Sequence, residues 1–324
     1  MNMTMKGPLR FLGELYLIVS LLSGRGRCAP EWRVLWYNFH RSAKVTPMKP
    51  EALAGLILVC VLGLPCLAWL VLRRVDGLRL VPTWAWLGLY AIAFLLQPLF
   101  LLRKHWEGAL ALAYPTFAGY MLIQGDNEFW EEAAKLVATL LAARGLARRL
   151  PALLAHPSAL AALGFWVGLA YGVGEAVMLA VLIMHPALNP LFGFSLFSPY
   201  LVGLAYVYER FWAVQVHAVL GGLVGVGVWT AYRSGALRPR GGLVLCFLAA
   251  MLYHHLVDGI VITAQFFPAV GQWLRGAAAW WLIPLVALGY GALLLAVSGL
   301  EWRARREGVK PSAPWVQTQK GISS

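Results

Sequence analysis

The sequence predicts an all-α fold, a polytopic bundle of about eight membrane-spanning helices, and three observations carry that expectation. Of 324 residues, 60% are hydrophobic and only 13% charged, about half the charged share of a soluble domain. Apolar runs of about 20 residues recur, each long enough to cross the roughly 30 Å hydrocarbon layer as a helix. The Lys and Arg residues behind the net charge of +13 sit in short segments between those runs. That is the pattern of membrane topology, whereas nucleic-acid binding gathers cations on one solvated face. The expected surroundings are a lipid bilayer, with no nucleic-acid partner.

Residues 1–47 differ from the rest. Their apolar run, Leu15 to Leu22, is too short to span, Glu14 precedes it, and Arg25 to Arg27 stand where a cleaved signal needs small residues. The segment is expected to be a dispensable extension, with Met48 as an alternative start. Helices are expected over 52–72, 82–102, 108–124, 129–143, 158–182, 202–232, 242–266 and 276–300, within a membrane domain of residues 48–310 and before a tail of residues 311–324. Asp126 or Asn127 is the expected N-cap of the short fourth helix, after an acidic turn over Gly125 to Glu128. Counting loop cations on that scheme gives twelve against four, which predicts that both termini are cytoplasmic. The expected location is the bacterial cytoplasmic membrane. Cys28, Cys60, Cys66 and Cys246 form no CxxC pair, so neither a disulfide framework nor a thiolate metal site is expected.

Charged residues inside the apolar helices are the functional signal, because each costs about 2.5 to 3.5 kcal/mol at the centre of a membrane helix. They are Glu131, Glu132 and Lys135, then Glu175, then Glu209, Arg210 and His217, then His254, His255 and Asp258. Glu131 and Lys135 are four apart, as are His254 and Asp258, so each pair shares a helix face. Gly164, Gly168 and Gly172 make a smooth ridge for close helix approach, and Glu175 follows on nearly the same ridge. Any single member has a structural explanation. Their joint occurrence at compatible depths predicts one polar cavity, which either an intramembrane enzyme or a transporter or channel with a buried proton relay would need.

The segments Glu131-Glu132-Ala-Ala-Lys135, Tyr171-Gly-Val-Gly-Glu175, Glu209 to His217 and His254-His-Leu-Val-Asp258 together resemble the YhfC-type intramembrane protease family, related to the PrsW proteases and the CAAX prenyl proteases. The PrsW pattern has Phe where this chain has Tyr171. The resemblance spans residues 50 to 300 and implies hydrolysis of peptide bonds in membrane protein or peptide substrates. Glu131 or Glu132 would act as general base, Lys135 would hold the pair, and a histidine would stabilise the oxyanion. His254, rather than His255, is selected by the HxxxD spacing alone. Glu175, His217, His254 and Asp258 could equally bind zinc, so zinc is a possible cofactor.

Overall fold

The computed structural model describes residues 49–306 apart from 76–77, 79–80, 102, 149, 151–155, 186–203, 234–240 and 277–280. The expected extension 1–47 and tail 311–324 lie outside these. The described elements are all α-helices: α1 (Pro50–Leu72), α2 (Thr83–Leu101), α3 (Lys104–Ala113), α4 (Phe117–Ala147), α5 (Pro157–Met184), α6 (Leu204–Arg233), α7 (Gly241–Phe266), α8 (Pro268–Gly276) and α9 (Leu282–Arg306). Pro50 and Pro157 open their helices where a missing N–H costs nothing. Five helices, α1, α5, α6, α7 and α9, are long and apolar enough to cross a membrane. The chain is thus an all-α protein with the character of an integral membrane protein.

The structure corrects the middle of the expected scheme. Residues 108–124 and 129–143 do not form two helices around an acidic turn, because α4 runs unbroken through Gly125 to Glu128. Its N-cap is Thr116, whose hydroxyl accepts from Gly119 N at 3.1 Å, and not Asp126 or Asn127. Local propensity suggested a break there, but tertiary partners outweigh it: Asn127 receives Arg103 and Glu128 meets His255 at 2.6 Å, while Asp126 accepts from Trp130 one turn on in the same helix at 3.2 Å. The turn falls instead at Tyr114 to Thr116, between α3 and α4, while the expected break after residue 102 is present between α2 and α3. The expected last helix, 276–300, begins later and follows the short α8.

These corrections change helix directions. Trp166 on α5 donates to Trp86 O on α2 at 3.0 Å, and Gly174 lies against the Phe94 backbone. Hence α2 and α5 run parallel, which the interposed pair of short helices would have forbidden. Arg103 reaches Asn127 midway along α4, so α2 and α3 descend together against an antiparallel α4. In turn α4 is antiparallel to α7 through Glu132 and His254. Val219 and Leu293 meet Gly289 and Gly222, which makes α6 and α9 parallel.

The centre is the antiparallel contact of α5 with α6. A Cβ on Gly164 would come within 2.9 Å of Gly225 Cα, and one on Gly168 within 2.9 Å of the His217 carbonyl carbon. Gly221 and Gly225 reciprocate from α6. With no side chains between them, the two backbones approach closely, flanked by buried Leu160, Leu163, Val167, Leu220 and Val224. This seam holds Glu175 and His217 beside one another.

Candidate active site

Lys135 organises the site from below. Its ammonium, fully buried, donates to Glu132 Oε1 at 2.6 Å and to His217 Nδ1 at 3.0 Å. An ammonium has no lone pair, so His217 Nδ1 must accept. Nε2 then carries the proton and donates to Glu175 Oε2 at 2.9 Å, a tautomer assigned from these partners. Glu175 Oε1 in turn faces Arg210 Nη1 at 3.4 Å, and Arg210 is paired with Glu209.

His254 is oriented from the same carboxylate. Its Nδ1 donates to Glu132 Oε1 at 2.9 Å, which directs Nε2 toward Asp258 Oδ2 at 3.6 Å and Glu131 Oε2 at 4.0 Å. Asp258 Oδ2 also accepts from Gln124 at 2.7 Å. The rings of His217 and His254 meet edge to face, with centroids 5.0 Å apart.

These groups surround a cavity of about 40 Å³, room for roughly two or three waters. Glu131, Glu175, His217, His254 and Asp258 line it, and Glu209, Arg210, Trp281 and Leu282 stand nearer the helix ends. At 1.5 Å per residue the acids and histidines lie roughly 12 to 21 Å from the ends of their helices. On the other side of His217, the glycine seam brings the backbones of α5 and α6 into close contact.

Of the ten charged residues singled out in the sequence, the structure brings seven into this network or its cavity wall: Glu131, Glu132, Lys135, Glu175, His217, His254 and Asp258. It separates their surroundings, however. Glu132 is fully buried and outside the cavity, held by Lys135 and His254, whereas Glu131 lines it. Lys135 therefore pairs with Glu132 at three residues' spacing, and not with Glu131 at four. His254 belongs to this network, while His255 pairs with Glu128. Sequence reasoning missed Arg103, taken there for a loop charge. A cation one residue after an apolar run and four before Glu107 was the available signal.

A metal set of Glu131, His217 and His254 has ligand atoms within 4.8 Å of one another. Among the described residues Glu175 and Asp258 do not join such a set. The donor chemistry is unfavourable, because the His217 Nδ1 lone pair meets the Lys135 ammonium and Nε2 meets Glu175. A cation bound there would displace another cation's partner.

Compared with family models, with characterised proteins and with solved structures, the chain finds no match.

Proposed function

We propose that this chain is an intramembrane endopeptidase of the YhfC type, acting on membrane proteins or peptides. The observation that carries the proposal is the division of the glutamate pair: Glu131 faces the cavity, while Glu132 is closed off behind it and fixes His254 and Lys135. The 4.0 Å between Glu131 Oε2 and His254 Nε2 suits a water bridging the two. Glu131 takes a proton from that water as the oxygen attacks the scissile carbonyl, then passes it to the departing amine. In the step that follows, His254 Nε2–H donates to the developing oxyanion, with Arg210 the next cation in the wall.

The test is reconstitution of the purified protein in liposomes with candidate membrane peptides, products being read by mass spectrometry. Cleavage by wild type, lost in Glu131→Gln, is the expected result. Equal cleavage by both would overturn the assignment.

The mechanism needs no metal, since base, orienting carboxylate and donor are all side chains. Chelators are expected to leave activity intact. Stoichiometric zinc, with activity lost on chelation and restored by zinc, would overturn this part and leave the peptidase standing.

The helix directions also support an orientation in the membrane. Taking α2 with α3 as one broken crossing and α8 as non-crossing leaves seven crossings: α1, α2 with α3, α4, α5, α6, α7 and α9. Arg73, Arg74, Arg144, Arg148, Arg233, Arg303, Arg305 and Arg306 then share one side, against Lys49 and Arg275 on the other. By the positive-inside rule the Arg-rich side is cytoplasmic. The C-terminal end of α9 is inside, the start of α1 is outside, and the cavity opens toward the outer face. With eight crossings and both ends inside, Arg73 and Arg74 would fall on the outer side; seven crossings put them on the cytoplasmic side.

A transporter would share these buried groups and their continuous hydrogen bonds from Glu175 to His254. It would also need a route to the second face, which the glycine seam opposes.

A further inference from the structure

Arg103 stands at the break between α2 and α3, and its side chain is only 7% exposed. Its guanidinium is shared among several partners. Nε faces Glu107 Oε1 at 2.6 Å, Nη1 donates to Asn127 O at 3.2 Å, and Nη2 hydrogen-bonds Asn127 Oδ1. The same Nη2 lies 3.9 Å from Glu131 Oε1, while the other oxygen of Glu131 faces His254. The carboxylate is thus straddled, one oxygen toward the guanidinium and one toward the histidine across the cavity.

A helix interrupted in apolar surroundings loses backbone hydrogen bonds, and a buried Arg is costly unless paired. Glu107 and Asn127 satisfy both demands on structural grounds. The direction of Nη2 toward Glu131 goes beyond them. A planar fork anchored at two points is rigid in a way that a lysine ammonium is not.

We propose that Arg103 is a positioning residue for Glu131: anchored by Glu107 and Asn127, it fixes the carboxylate so that Oε2 points to the attacking water. The catalytic consequence rests on the peptidase reading above; the contact itself does not. A break in the helix at this depth is what lets an arginine approach Glu131 from the side opposite the histidines.

Two measurements test it. In the liposome assay, Arg103→Gln is expected to lower kcat about 100-fold with KM unchanged, the scale of a reacting group displaced by about 1 Å. Arg103→Lys should recover part of that loss, because it keeps the charge and loses the fork. An unchanged kcat, or a loss carried by KM, overturns the proposal. Independently of any activity, thermal unfolding in detergent of wild type, Arg103→Gln, Glu131→Gln and the double variant forms a cycle. Arg103→Gln is expected to lower Tm less in the Glu131→Gln background than in wild type. Additive shifts overturn the proposal, since a role confined to Glu107 and Asn127 gives additivity. Coupling in the cycle with no cleavage by wild type would sink the peptidase reading and leave the hold of Arg103 on Glu131 intact.

Discussion

Glu131 and Glu132 are adjacent, identical in type and differently employed. Glu131→Gln removes the cavity-facing base while its burial partners remain, so activity is expected to fall at least roughly 100-fold with a smaller loss of Tm than the same change at Glu132. Glu132→Gln leaves the Lys135 charge buried without its anionic partner, a loss of about 3 to 5 kcal/mol. It should therefore inactivate and destabilise together. Cleavage and melting measured on both variants check this, and equal melting temperatures would refute the division of roles. Sequence spacing put these carboxylates on one helix and His254 one turn from Asp258. It did not show which glutamate faces the water. That depends on Lys135 pairing three residues back and on His254 arriving from α7, both fixed by packing between distant segments. What Arg103 reaches was illegible for the same reason, since its partners Asn127 and Glu131 lie more than 20 residues away.

The glycine seam of α5 and α6 sets the position of His217. A Cβ at Gly172 would lie 3.0 Å from both Cβ and Cδ2 of His217, tighter than ordinary contact. Gly172→Ala is therefore expected to push the imidazole off Glu175 or Lys135 and to reduce activity well beyond its effect on folding. Gly164→Ala, farther from the site but against the Gly225 backbone, should do the reverse, costing about 1 to 3 kcal/mol by overpacking. Comparing cleavage with Tm for the two variants distinguishes them, and a parallel loss in both would sink the distinction. This ridge was legible from its four-residue period. The course of α4 was not, because Gly125, Asp126 and Asn127 are locally turn-forming, and the partners of Asn127 and Glu128 that hold the stretch helical lie on other segments.

For the whole molecule, the directions of the helices matter more than their number. With α2 and α5 parallel, reporter fusions near residue 115 and at the C-terminus are expected on opposite faces, with the fusion at 115 outside and alongside a reporter placed before Lys49. Finding residue 115 on the cytoplasmic face would remove the argument for outer access. The apolar spans were readable from composition because burial in lipid is a property of each segment by itself. The proposed topology was not, because one broken crossing and one continuous polar helix have nearly the same hydropathy as the three helices expected over 82–102, 108–124 and 129–143. The continuous α4 has a further consequence for biogenesis. Carrying Glu128, Glu131, Glu132 and Lys135, it is too polar to partition into lipid alone at about 2.5 to 3.5 kcal/mol per charge. With α4 crossing as proposed, the short Tyr114 to Thr116 turn would let it insert as a hairpin with α2 and α3, Arg103 beside its glutamates. The histidines of α7 are made more than 100 residues later, so the helix that bears the glutamates waits, half-satisfied, for the helix that completes them.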